Sequence, residues 1–455
     1  MRPSFLSLAA VLAALMATPT HAASDRHVVL ISVDGFAYDY FDDPKAHIPT
    51  IRKLAAEGVR VKRMECSYPT VTWTNHTTLV TGVTPAKHGV IGNDYFDRTT
   101  LKKVPFIPDP IFNKDEIVLS PTIYDVAKQA GLSTSGIIWP ATRGAKTLDW
   151  TVPDVFEQEL FEKYGTPSLL ADARELGIPV QMQMDWCKKM NEGKPMRDYM
   201  YARLASHVIT KHKPNLMMLH LVTVDSAQHS YGRNSPEAYW ALNDSDNRVR
   251  DIVDAVATAG LTDKTTFFVT TDHGFYNFSK TINLNALLRS EGLLKSLGTK
   301  VSSAQAYTMS EGGACFVYLL DQANRDKIMA DLKPKLLAVE GVASLTDNAA
   351  DVGHKTAAQD PREPDLFLSA KDGYSFTDAL ADTEIIKATE SVKGAHGHFV
   401  TEDLLGGACV ISGAGIKPGV VIDALKNIDI APTMAKMLGI EMQNVDGRVL
   451  KEALK

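Results

Sequence analysis

The chain has no basic block and a formal net charge of −6. It therefore lacks the positive footprint that a nucleic-acid polymer requires, and the polybasic patch that an anionic membrane surface attracts. Cysteine is scarce: Cys66, Cys187, Cys315 and Cys409 lie far apart with no C-x-x-C pair, which argues against a cysteine metal site. In an oxidising compartment the four allow up to two disulfides, while as small buried apolar side chains they need none. Beyond the N-terminus no apolar stretch is long enough to span a bilayer. No repeat, low-complexity tract or flexible linker interrupts the chain.

What remains is 455 residues of ordinary globular composition, 45% hydrophobic and 22% charged, enough for a sizeable core. The opening "MRPSFLSLAAVLAALMATPTHAAS" combines a lone Arg2, an apolar stretch, a Pro19 break and small residues. This is the layout of a secretory signal peptide over residues 1–22, with the mature chain starting near Ala23. The expectation is an exported, soluble protein of the periplasm or extracellular space.

"HVVLISVDG" is an apolar run without alternation, as in a strand buried on both faces. "IPTIRKLAAEG" reads as a helix opened by proline and stopped at Gly58, and "TNHTTLVTG" as another ended by Gly82. "DYMYARLASHVITKHKPNLMMLHLVTVD" and "DSDNRVRDIVDAVATAGLTDKTTFFVTTDHG" each run from helix to strand to aspartate. The alternation predicts an α/β, doubly wound, mostly parallel sheet flanked by helices, with ligands bound beyond the carboxyl ends of its strands. From about residue 275 to 392 the pattern loosens, predicting an inserted cap within a single catalytic domain over 23–455.

Three strand ends supply carboxylates, Asp34, Asp225 and Asp272, accompanied by His229, His273 and His396. Asp225 and His229 are four apart, so one helix face serves both. Asp272 and His273 converge only if the chain turns, which Gly274 permits. Alone, each has a structural reading as a helix cap or a buried pair. Together they suffice for two divalent ions, Zn²⁺ first and Mn²⁺ or Fe²⁺ less well suited. Two ions about 4 Å apart bind both the attacking and leaving oxygens of an in-line phosphoryl transfer. Such a site makes a nucleophile of a threonine hydroxyl. In "YPTVTWTNHTTLVTG", Thr74 and Asn75 stand where N-caps stand and Thr72 just upstream, aimed where a phosphate would meet the helix start.

The ordered set "ISVDG", "PTVTWTNHTTLVTG", "KHGVIGN", "VDSAQHSYG", "TDHGF" and "GAHGH" resembles the nucleotide pyrophosphatase/phosphodiesterase branch of the alkaline phosphatase superfamily. The resemblance covers most of the chain. It implies an alkaline-phosphatase-like fold and a phosphodiesterase with a phospho-threonine intermediate at a two-zinc site. One ion would be held by Asp34, Thr72, Asp272 and His273, the other by Asp225, His229 and His396, with His398 the fallback for His396. Asn93 falls on the family's phosphate-binding asparagine, donating beside a backbone N–H near Thr72. Trp73 stands where many members have Phe, able to stack on a nucleobase or simply to pack.

Three further positions depart from the family, His220 where nucleotide-cleaving members carry a base-sandwiching tyrosine, "VD" at Val224 and "GR" at Gly232-Arg233, leaving nucleotide specificity open. A sulfatase is set aside because Tyr68 and Thr70 replace the proline and arginine required after its modified Cys. A phosphomonoesterase, with Arg143, Lys146 or Arg233 as clamp, and a phosphonate hydrolase use the same metals. The reading from a different class is a metal-stabilised binding protein without catalysis. A sequon match at Asn75-His76-Thr77 is taken as chance, since a glycan there would block the cleft. Substrate, leaving group and oligomeric state are not legible.

Overall fold

The computed structural model describes residues 25–399 and 403–455; the signal-peptide expectation over residues 1–22 lies outside them. Eight strands form the central sheet: β1 His27–Val33, β2 Val59–Glu65, β3 Thr134–Ile137, β4 Trp150–Val152, β5 Leu216–Leu221, β6 Thr265–Thr270, β7 Gly407–Gly413 and β8 Val420–Lys426. Their order is β8-β2-β7-β6-β1-β5-β3-β4. Only β7 runs against its neighbours β6 and β2. The helices used below are α1 Pro49–Glu57, α2 Thr72–Thr81, α3 Ile123–Gln129, α4 Pro167–Glu175, α5 Met190–His212, α6 Thr223–Tyr231, α7 Pro236–Thr258 and α8 Ile430–Leu438.

The sequence HVVLISV of β1 is buried along its whole length, because successive side chains leave a strand on opposite faces and both faces are covered. Val29, Ile31 and Val33 enter a core built with α1, α5 and α7, whereas Val28 and Leu30 enter a second core built with α2, α3 and α8. Cutting Leu30 or Ile31 to alanine would cost about 2–5 kcal/mol in such packing. A third core lies in the segment between β6 and β7. There Ala306–Glu311, Ala314–Leu319, Leu366–Ala370 and Val342–Thr346 form a four-stranded antiparallel sheet. Tyr276–Ile282, Gly373–Phe376 and Ile386–Ala395 form a three-stranded one.

Several local expectations change. Helix α2 begins at Thr72, with extended Val71 as its cap residue, so neither Thr74 nor Asn75 is an N-cap. Asn75 is fully buried and ties down the preceding loop instead: its Nδ2 donates to Ser67 O, Pro69 O and Val71 O, and its Oδ1 accepts from Ser67 N. That engagement leaves no room for a glycan. Asp225 is not at a strand end but on the first turn of α6. All four cysteines are free and buried. Burial raises their thiols, that of Cys409 to about 12, so they serve as small apolar side chains. No helix among the described residues is long and apolar enough to cross a membrane.

Candidate active site

Strands β6, β1 and β5 are neighbours and parallel, so their carboxyl ends open on one place. Asp34 follows β1 directly, Asp272 and His273 follow β6, and Asp225 and His229 lie one turn apart on α6 beyond β5. Buried Asp198 of α5 fixes the start of α6, accepting from Val222 N and Thr223 N at 2.9–3.1 Å. Burial pushes its carboxyl up to about 6, against those donors. Gly274 lets the chain leave β6 sharply through close approach, since a Cβ there would stand 2.2 Å from Leu404 O. His396 arrives from the strand Ile386–Ala395.

Two interleaved ligand groups result: Asp34, Asp272 and His273, and Asp225, His273 and His396, the ligand atoms of each within 4.8 Å of one another. His273 belongs to both and stacks on His396 with ring centroids 3.7 Å apart. His229 joins the second group, its Nε2 3.2 Å from Asp225 Oδ1 and 3.1 Å from His396 Nε2. His398 does not join: its ring is buried beside Tyr276, and a Cβ on Gly313 would strike it at 2.0 Å.

The outer partners decide which nitrogens face inward. His229 Nδ1 donates to Gly394 O at 3.0 Å, His396 Nδ1 to Thr70 O at 2.8 Å, and His273 Nδ1 to Gly274 O at 3.2 Å. A carbonyl only accepts, so each neutral ring carries its proton on Nδ1 and turns a bare Nε2 lone pair toward the carboxylates. Asp34 Oδ1, Asp225 Oδ1, Asp272 Oδ2 and His273 Nε2 are buried with no hydrogen-bond partner. Lone pairs packed against lone pairs at such distances are stable only around positive charge. The residues present therefore fit divalent cations.

The ionisation tendencies show the same strain. Burial, then Asp272 and Asp225, drives Asp34 well above the carboxylate range. Burial pushes Asp272 up as well, but the imidazoles of His273 and His76 outweigh it and hold it well below. Asp225 is likewise held down, against burial, by His229 and His396. His229 is raised because Asp225 outweighs burial, whereas His396 is driven well down by burial, His273 and His229.

Thr72 is the first residue of α2 and 6% exposed. Its segment is tied to both groups. His76, one turn on, donates from Nδ1 to Thr72 O at 2.9 Å and lies 3.6 Å from Asp272 Oδ2. Thr70 accepts His396 Nδ1 at its carbonyl and Gly397 N at its hydroxyl. The N–H of Trp73 donates to Asn93 Oδ1 at 2.9 Å, placing that amide at the N-terminus of α2.

Trp73 itself corrects an expectation. It is 1% exposed, packs with Val90, Ile91 and Phe106, and donates its indole N–H to Asp109 at 2.7 Å. No ring face is presented to a substrate, because the indole is consumed by packing and that bond. Of the proposed clamp cations, Arg233 is paired with Asp39, Arg143 donates to Asp109 O and Tyr164 Oη, and Lys146 is exposed.

Two supporting histidines were not anticipated. His220, the one polar residue in the LMMLHL strand β5, has its Nε2 2.9 Å from Asp34 Oδ2. His76 sits under Asp272, 4.2 Å ring to ring from His220. Burial, then His220, drives His76 down to about 3, and burial lowers His220. The signals were visible: a histidine in an apolar strand, and another one helical turn after the candidate nucleophile.

The sequence profile of the type I phosphodiesterase/nucleotide pyrophosphatase family matches residues 28–398. The chain belongs to this family. Human ectonucleotide pyrophosphatase/phosphodiesterase family member 5 is 26% identical over 283 residues, 62% of this chain and 52% of that protein. Human family member 1 is 27% identical over 263 residues, 57% of this chain and 25% of that protein. The chain thus spans about half or less of the length of these curated relatives. Among solved structures, murine family member 5 superposes with a TM-score of 0.72 at 17% identity, over 94% of this chain and all of that one. A second structure of it is an inactive variant in complex with AMP. The fold is alkaline-phosphatase-like, and members of this family are metal-dependent.

Proposed function

We propose that the protein is an exported hydrolase of phosphate diesters that works through a phospho-threonine at Thr72 with two divalent ions, Zn²⁺ the first choice for this ligand set. Asp34, Thr72, Asp272 and His273 hold one ion, and Asp225, His229 and His396 the other. The observation that carries this reading is the ring of inward-facing, unpartnered carboxylate oxygens and imidazole nitrogens at the foot of the Thr72 helix. Family membership supports the reaction class.

When bound, the ions supply stabilisation of a threonine alkoxide and of the leaving oxygen. The chain does the rest. Asn93, whose Oδ1 is held by the N–H of Trp73, donates from Nδ2 to a non-bridging oxygen of the substrate. Thr72 Oγ forms the bond to phosphorus as the bond to the leaving alcohol breaks, and the alcohol departs with a proton. Water then attacks the phospho-threonine on the opposite side and frees Thr72 and the phosphate product. His220 and His76 keep Asp34 and Asp272 oriented throughout.

A neutral amide suits a singly charged diester, and the commitment of Arg143 and Arg233 elsewhere favours it over a dianionic monoester. The substrate is a small phosphate ester, consistent with the AMP bound to the inactive murine relative. No nucleic-acid polymer is expected at a chain of net charge −6. Phosphonate hydrolysis on the same centre is the second reading. Purified enzyme should hydrolyse bis-p-nitrophenyl phosphate well above p-nitrophenyl phosphate; the reverse order would make it a monoesterase, and no turnover with metals bound a binding protein.

A further inference from the structure

The strand Ala306–Glu311 belongs to the segment outside the central sheet, yet its last residue reaches the site. Glu311 is 5% exposed; its Oε2 accepts the N–H of Asn93 at 3.1 Å and its Oε1 the N–H of Asp94 at 3.3 Å. The chain then turns through Gly312 and Gly313, and Gly313 N donates to His396 O at 2.6 Å. The fit is close on both sides: a Cβ on Gly312 would lie 2.5 Å from His396 O, and one on Gly397 2.0 Å from Glu311 O. One tight turn thus grips the segment carrying the phosphate-facing amide and the segment carrying a metal ligand.

Two turn N–H groups near a surface do not need a carboxylate; water satisfies them as well. A buried carboxyl is a costly substitute. Burial, then Asp94, pushes Glu311 up to about 8, and the nearest cation, Lys103, is shared with Asp94 and Asp378. Such an arrangement persists where it fixes a geometry. Gripping two successive N–H groups fixes the backbone on the C-terminal side of Asn93, and with it the direction of that side chain toward Trp73 N.

We infer that Glu311 is a positioning residue for phosphate binding, holding the Asn93 amide in register with His396. This rests on Asn93 as the phosphate donor proposed above. Glu311→Gln keeps the shape but replaces one acceptor by a donor that faces an N–H. It should lower kcat/KM for bis-p-nitrophenyl phosphate at least about tenfold, with metal content by mass spectrometry and melting temperature close to wild type. If Glu311 acts through Asn93, the Glu311→Gln/Asn93→Ala double variant should be no slower than Asn93→Ala alone. Gly92→Ala offers a second approach from the loop side, since its methyl would press on Asp94 O and on Glu311 Oε1, both at 2.9 Å; by disturbing the same grip it should show the same loss. Wild-type rates in Glu311→Gln and Gly92→Ala, or losses that multiply with that of Asn93→Ala, would overturn the inference while leaving Asn93 in place. A wild-type rate in Asn93→Ala would remove the phosphate donor itself, and the inference with it.

Discussion

Two clusters of histidine and aspartate occur among the described residues, and they differ in what compensates their charge. At the carboxyl end of the sheet, Asp34, Asp225, Asp272 and His273 hold unpartnered oxygens and a nitrogen close together, with His229 and His396 beside them. Between α4 and α5, Asp172, His207 and His212 also bring ligand atoms together. There, however, Asp172 Oδ2 accepts from Lys211 Nζ at 2.6 Å and has His207 Nε2 at 3.0 Å, while the His212 ring stacks on Trp150. The outer cluster is half-buried and carries its own cation. In the inner one Asp34, Asp272, His273 and His396 are buried, and among the described residues no lysine or arginine is hydrogen-bonded to its three carboxylates. Residue type makes both look like metal sites; the counter-charge that Lys211 brings to the outer one separates them.

The broadest way to break this contrast is to remove the ions. Exhaustive EDTA treatment should abolish hydrolysis and lower the melting temperature by several degrees, with Zn²⁺ restoring both; recovery with Ca²⁺ alone would contradict the imidazole-rich ligand set. Next comes the hydroxyl proposed as the nucleophile. Thr72→Ala should slow turnover at least about a hundredfold, a barrier increase of about 2.7 kcal/mol, and an unchanged rate would mean that water attacks the phosphorus of the ester directly. A smaller effect is expected from the layer behind the ligands. His220→Ala leaves Asp34 Oδ2 without its partner, and Zn²⁺ affinity in a competitive chelator titration should fall about 10- to 100-fold; unaltered affinity would make His220 mere packing.

The smallest effect belongs to the outer cluster. Lys211, then His207, holds Asp172 at about 2, below its ordinary 3.8. A depressed carboxylate stabilises the fold above its unfolded value, and that stabilisation fades as pH falls from about 4 through about 2. Asp172→Asn should therefore shift the melting temperature at pH 7 by about 1–2 °C or less, the exposed ion pair being screened. The shift should vanish at the acid end, and hydrolysis and Zn²⁺ content should not change. Loss of a bound ion in this variant would erase the distinction between the two clusters.

The sequence went far toward the inner cluster because strand ends are legible. Apolar runs such as HVVLISV and TTFFVT can only be strands with both faces covered, and the residue after such a strand must emerge on the ligand side of the sheet. Asp34, Asp272 and His273 follow from that rule. The sequence reads Thr72 as lying upstream of a helix that it in fact begins, because the Thr74 hydroxyl and the Asn75 amide imitate caps. Asn75 was misjudged for the same reason, its amide being spent on the loop from Ser67 to Val71. Trp73 illustrates a harder limit. A large aromatic beside a nucleophile has the same one-letter code whether it meets substrate or Asp109.

The sequence by itself determined the alternation of strands and helices and the acids that follow β1 and β6, since these depend on local periodicity and on chain direction. Only the tertiary structure decided which nitrogen of each histidine faces inward, that His220 and His76 stand behind the carboxylates, and that Glu311 grips Asn93. These follow from contacts between residues up to hundreds of positions apart. The physical reason is that a lone pair becomes a ligand, or a carboxylate a clamp, only through what burial leaves beside it.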